Sequence, residues 1–183
     1  MTDGFAAVVG LVPGVFARGG PPRTLGPMMF DRMTLGRAMD EALALAARAA
    51  EAGDVPVGAL VIDDATGEVI GHGFNTREVD GDPLAHAEVV AMRGAAATRG
   101  GDWNLADCTL VVTLEPCPMC AGACLQTRIG RIVFGAWDAK LGACGSIWDI
   151  PRDPHVGHTP EVIGGVREAD CARVLGEFFA GRR

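Results

Sequence analysis

Surplus positive charge is missing from this 183-residue sequence. Sixteen Lys and Arg against twenty-three Asp and Glu leave a net charge of −7. The chain as a whole therefore does not attract a phosphate backbone, and any nucleic-acid partner has to meet a local basic patch. Lysine is nearly absent: Lys140 is alone, and the other fifteen basic residues are Arg. With so much Ala and Gly, that reads as a compositional bias of the source rather than a functional signal. A membrane-spanning run is missing too. The apolar stretch from Phe5 to Phe16 is short and broken by Pro13, and Asp3 stands where a secretory signal carries positive charge. Internal repeats and low-complexity stretches are absent. Cysteines are present but do not form a disulfide pattern: two of the six sit at metal-ligand spacing, and Cys108, Cys124, Cys144 and Cys171 lie in apolar runs as small buried hydrophobes. These absences lead to the expectation of a cytoplasmic protein with no membrane partner.

What is present suffices for one domain with its own core, since 49% of the residues are hydrophobic. Residues 1–32 differ from the rest, with Gly19-Gly20 followed by Pro21-Pro22. They are expected to be a flexible extension or the product of an upstream start codon, leaving a domain at 33–183. A helix is predicted from Thr34 to a stop at Gly53, because Leu35, Met39, Ala42, Leu43, Ala46 and Ala50 recur at three- and four-residue steps. Val57–Ile62 and Val69–Phe74 read as a hairpin across the turn Asp63-Asp64-Ala65-Thr66-Gly67. Residues 75–81 read as loop, and Asp82-Pro83 as the start of a helix running to about Thr98. Then come a strand at 109–114, a helix from Pro118, strands at 132–134 and 162–166, and a last helix through Val174, Leu175 and Phe178. Helix, hairpin, then alternating strands and helices define an α/β class with a mixed sheet covered by helices.

The chemistry concentrates in two short stretches. His86-Ala87-Glu88 precedes Pro116-Cys117-Pro118-Met119-Cys120 by about thirty residues. A catalytic zinc takes three protein ligands and keeps a fourth position for water. His86, Cys117 and Cys120 supply three, which leaves Glu88 free to handle protons. Residues two apart on a helix point about 200° away from each other, so His86 and Glu88 share a pocket only from a helix start. Cys117 and Cys120, three apart at a helix opened by Pro118, present both sulfurs on one face, where the helix N-terminus favours anions. Two helix starts facing each other across the metal is the expected geometry. The pairing of H-x-E with P-C-x-x-C resembles the signature of zinc deaminases, and that resemblance implies that Glu88 takes the proton of the activated water, passes it to a ring nitrogen and protonates the departing ammonia. A redox Cys-x-x-Cys pair, or a structural site closed by Cys124, are the competing readings.

From about Thr34 onward the sequence resembles the bacterial tRNA-specific adenosine deaminases of the cytidine and deoxycytidylate deaminase superfamily, whose H-x-E and P-C-x-x-C signature these stretches match. The resemblance extends to Val55-Pro56-Val57-Gly58-Ala59, to Asn75, to Thr113-Leu114-Glu115 and to the run from Phe134 to Ala143, continuing into Gly145-Ser146. It implies a single-domain three-layer fold with a central five-stranded mixed sheet, one zinc ion per subunit, and hydrolytic conversion of adenosine to inosine at the wobble position of a tRNA anticodon. By the same resemblance Glu88 is the proton shuttle, and His86, Cys117 and Cys120 are the metal ligands. Asn75 and Ala87 contact substrate, Asp138 and Lys140 lie near the anticodon loop, and Phe179 and Arg182 help hold it. The implied partners are an anticodon loop, expected from an arginine tRNA, and a second copy in a homodimer. Trp137 and Gly157-His158 depart from the family pattern, and residues 1–32 have no counterpart in it. A deaminase of free bases or nucleosides, and a non-catalytic zinc-stabilised RNA-binding module, are the rivals.

Overall fold

Small residues decide how closely the layers of this fold approach one another. The computed structural model describes residues 32–182; the extension expected before them, and Arg183, lie outside the described residues. Helix α1 (Arg32–Glu51) buries Leu35, Ala38, Met39, Ala42, Leu45, Ala46 and Ala49. Its inner face is thus one residue to the side of Leu43 and Ala50, which stay half-buried. Gly58 opens β1 (Gly58–Asp63) directly beneath α1, where a side chain would collide with the Ala42 carbonyl. Along β1, Ala59 and Val61 enter one core while Leu60 and Ile62 enter the other, as the two-residue period of a strand requires.

The turn to β2 (Val69–Phe74) is closed by the Asp63 carboxylate, which accepts from the N–H groups of Ala65 and Thr66 at 3.0 and 3.1 Å. After β2 comes α2 (Arg77–Asp80), one helical turn where a loop was expected. Helix α3 spans Ala87–Thr98, so it begins four residues beyond the expected Asp82-Pro83. Local hydrogen bonds explain the delay: Asp82 Oδ1 accepts from Leu84 N at 2.8 Å and its carbonyl accepts from Ala85 N, making a turn instead of a helix start. His86 is extended and caps α3.

The remaining elements are β3 (Cys108–Leu114), α4 (Pro118–Gln126), β4 (Arg131–Ala136), β5 (Glu161–Ile163) and α5 (Glu168–Ala180). The sheet order is β2-β1-β3-β4-β5, antiparallel from β2 to β3 and parallel from β3 to β5. Strand β5 ends earlier than expected because the chain turns at Gly164-Gly165, the second with φ +79°, before Val166 N bonds the Phe134 carbonyl. One core, under α3 and α4, holds Val61, Leu110, Val112, Ile132 and Phe134; the other, under α1 and α5, holds Leu60, Val111, Val133 and Cys171. The expected three-layer α/β architecture is present, and Cys108, Cys124, Cys144 and Cys171 are all buried free thiols. Among the described residues no helix is long and apolar enough to cross a membrane.

One end of the sheet is tied by charge. Arg131, 3% exposed, donates from Nε to Glu161 Oε2 at 2.6 Å, and from Nη1 to Thr109 Oγ1 at 2.9 Å and Asp64 Oδ2 at 3.3 Å. The C-terminal ends of the parallel strands β3 and β4, at the opposite edge, are left to carry the site.

Candidate metal centre and active site

Glycines in β2 bring α3 onto the sheet. Gly71 and Gly73 point to the same face, and a Cβ at either would lie 2.3 Å from the Ala91 carbonyl or 2.1 Å from the Ala87 carbonyl. That close approach sets the helix start, with His86 as cap and Glu88 in the first turn. The second helix start is made by Pro118, which occupies the first position of α4 after the cap residue Cys117. The two starts face one another. His86 Nδ1 lies 3.7 Å from Cys117 Sγ and 3.5 Å from Cys120 Sγ. All three donor atoms fall within 4.8 Å of one another, with no fourth His, Cys, Asp or Glu in the group among the described residues. Cys124, a turn deeper in α4, is fully buried outside it.

Electrostatics in this group follow from its crowding. The Cys117 thiol is drawn down to about 4, first by its hydrogen bond with Cys120 and also by that with His86. Cys120 is pushed up by the same contact with Cys117 and by burial. His86 is raised, chiefly by its bond to Cys117. A dication displaces these protons, since metal binding requires the thiolates and the neutral imidazole. One nitrogen and two sulfurs at this separation are the donor set of a catalytic zinc site, one short of a closed structural site. Beside them, Glu88 is 4% exposed, and burial pushes its carboxyl up to about 7.

A cleft of about 170 Å³ opens over this group, lined by His86, Glu88, Cys117, Asn75, Asp138 and Leu141 among others. Asn75 Oδ1 accepts from Ala87 N at 3.0 Å, so this pair locks the cleft wall to the start of α3, and Ala87 itself is fully buried. Lys140, Phe179 and Arg182 do not line the cleft. Lys140 is exposed, with its N–H bonded to Asp138 Oδ1 at 2.8 Å. Phe179 is 51% exposed at the end of α5. The Arg182 guanidinium lies 4.0 Å from the Phe178 ring centroid and donates to the Gly53 carbonyl at 2.6 Å. Trp137 packs edge-on against Phe134 at 4.7 Å and stays outside the cleft lining.

Two buried carboxylates of the cleft were given no role from the sequence. Asp54, 1% exposed, accepts from Val55 N at 2.9 Å and from Glu78 N at 2.7 Å, tying α2 to the approach of β1. Glu115, also 1% exposed, sits between β3 and the cysteine turn and accepts main-chain N–H groups of the 138–146 loop. The available signal was an acidic residue at the margin of an apolar strand, where burial has to be matched by donors.

Three layers, a donor set for zinc at two opposed helix starts and a carboxyl group within the same cleft define a metal-dependent deaminase class. Residues 33–136 match the profile of the cytidine and deoxycytidylate deaminase zinc-binding region. The chain belongs to that family, and zinc is its cofactor. It is 48% identical over 145 residues to a tRNA-specific adenosine deaminase of Haemophilus influenzae, covering 79% of this chain and 83% of that protein. A solved structure from a study of A-to-I editing by tRNA:A34 deaminases at the wobble position superposes with a TM-score of 0.72 at 38% identity, over 76% of this chain and 99% of that one. A tRNA(Ile)-lysidine synthase of Deinococcus radiodurans is 51% identical over 98% of this chain but only 30% of its own length. The chain thus spans under a third of that relative, and the match takes in most of residues 1–32, for which the family resemblance had offered no counterpart.

Proposed function

We propose that this protein hydrolyses adenosine to inosine at the wobble position of a tRNA anticodon. The observation that carries the reading is the juxtaposition of His86, Cys117 and Cys120 with the buried Glu88 under one cleft, in a chain that shares 48% identity with a tRNA-specific adenosine deaminase. His86, Cys117 and Cys120 would hold zinc, which would supply an activated water. Glu88 takes one proton from the attacking water and delivers it to the purine ring nitrogen as the oxygen bonds the amino-bearing carbon; it then takes the remaining hydroxyl proton and passes it to the amino group, so that the C–N bond breaks and ammonia leaves. The buried carboxyl group stands in the same cleft as the donor atoms, where it can both take and give a proton. Asn75, with its oxygen committed to Ala87, offers its NH2 group to the nucleoside. An anticodon loop presents its bases already unstacked, so a narrow cleft receives one without melting a helix.

Around the cleft, Asp138 forms part of the wall, while exposed Lys140 and Phe179 and the Arg182 end of α5 are the groups offered to the loop backbone and bases. Homodimer assembly, an arginine tRNA as substrate and a cytoplasmic location complete the proposal. The test is inosine formation on an anticodon stem-loop measured against ammonia release from free adenosine, cytidine and guanine. Preference for the stem-loop supports the proposal; efficient turnover of a free base or nucleoside alone overturns it in favour of a small-molecule deaminase.

The Deinococcus match favours an additional reading. That relative is named for lysidine synthesis on tRNA and is over three times the length of the matched region. We read the present domain as able to serve beside a lysidine-forming unit on tRNA. Co-purification of the two activities on one polypeptide or in one complex supports it, and complete separation of the two refutes it.

A further inference from the structure

The carboxyl group of Glu115 is buried beside the cysteine turn, and among the described residues no salt bridge joins it to a cation. Its partners are three main-chain N–H groups of one loop. Oε2 accepts from Asp138 N at 3.0 Å, and Oε1 accepts from Cys144 N at 2.9 Å and Ser146 N at 3.0 Å. The main chain on either side of it is engaged with the same segment: Glu115 N bonds the Ala136 carbonyl at 2.8 Å, and the Pro116 carbonyl accepts from Ala143 N at 2.9 Å. Ser146 Oγ closes the knot on the Asp138 carbonyl at 2.8 Å. Gly142 is small because it must be. A Cβ there would lie 2.2 Å from Glu115 Oε2 and 2.1 Å from Ser146 Oγ.

This loop gives the cleft Asp138 and Leu141, and the latter is 54% exposed at the mouth. Glu115 stands two residues before Cys117, so one side chain joins the metal-binding turn to the part of the wall that meets substrate. Three donors converging on one carboxyl hold the loop at three points, and the buried Cys144 N–H left without Glu115 would be deprived of its acceptor away from water.

We infer that Glu115 is a positioning residue for substrate selection, holding the 138–146 loop in register with the metal-binding turn so that Asp138 and Leu141 form a preset wall for the RNA-borne base. The inference rests on the proposed function and deepens it. Substrate binding, more than the chemical step, depends on this group, because Glu88 and the donor atoms are carried by α3 and α4 and do not bond Glu115.

Glu115→Gln tests it by replacing one acceptor oxygen with a donor of nearly the same size. Gly142→Ala tests it from the loop side and serves alone should the first variant not fold. Zinc-loaded wild type and variants are compared by amide hydrogen exchange and by steady-state kinetics on an anticodon stem-loop. The expected result is exchange at the Asp138, Cys144 and Ser146 amides faster by roughly tenfold. With it, KM rises by roughly tenfold while kcat changes by less than about threefold. Zinc content stays at the wild-type level. Unchanged protection at those three amides overturns the inference, as does a fall in kcat with KM unaltered, or loss of zinc with the loop still protected. A wild-type enzyme inactive on the stem-loop refutes the proposed function only; exchange and zinc content then still decide the role of Glu115.

Discussion

Gly73→Ala adds one methyl group at the place where the active site is set. That methyl would lie 2.1 Å from the Ala87 carbonyl and 2.6 Å from Ala91 N, against an ordinary contact of 3.4 Å or more. Both obstacles are helix backbone, so no side chain can swing aside. Helix α3 has to move by about 1 Å at Ala87, the residue between His86 and Glu88. Overpacking of this kind costs about 1–3 kcal/mol of stability. A displacement of about 1 Å in a catalytic group costs on the order of 10²-fold in rate. Gly58→Ala is the matched control. It meets the Ala42 carbonyl at 2.1 Å and Ala46 N at 2.5 Å, but it pushes α1, on the other face of the sheet. Urea titration, chelator competition for zinc and single-turnover inosine formation separate the two. Both variants should lose comparable stability, and Gly73→Ala alone should lose zinc affinity and turnover. A Gly73→Ala protein as stable and as active as the wild type refutes the packing argument; equal zinc loss in Gly58→Ala refutes the claim that β2 sets the site.

Three further outcomes follow from the same geometry. Glu88→Gln should retain zinc by metal analysis and lose roughly 10²–10⁴-fold in kcat, the range of general acid–base catalysis; near-normal turnover would falsify the shuttle. Stripping zinc should lower the folding stability reversibly, by about 2.7 kcal/mol relative to protein with metal present at a hundred times its Kd, and calorimetry with and without re-added zinc measures it. Arg131→Ala should destabilise by about 3–5 kcal/mol in urea, because Asp64 is left buried without its cation. Zinc content should not change, since Arg131 sits at the sheet end away from the donors, and a zinc-poor variant would contradict that separation.

Much of this site was legible because its signals are local. Pro118 after Cys117 marks a helix start without help from the rest of the chain, and three-residue spacing puts both sulfurs on one face. Asp63 announces its hairpin turn in the same way, by bonding N–H groups two and three positions on. Asp82-Pro83 misled for a local reason too. The same side chain that can cap a helix made a turn, and the helix waited until His86. The roles of Asp54 and Glu115 were not legible for the opposite reason. Apart from the bond of Asp54 to the adjacent Val55 N, their side-chain hydrogen bonds reach 23 to 31 positions along the chain. Nothing in the residues next to either one encodes where those partners lie. The loss of β5 beyond Ile163 belongs to the same class, since Val166 answers to Phe134 rather than to its own neighbours.

The Arg182 contact has a consequence for the order in which the enzyme comes into being. Arg182 reaches back 129 positions to Gly53, and Arg167 reaches back 127 to Asp40, whereas every donor atom lies between residues 86 and 120. During translation, the histidine and both cysteines emerge well before α5 exists to grip the corner next to Asp54. A nascent chain therefore owns its metal-binding atoms before the lip of the cleft is anchored.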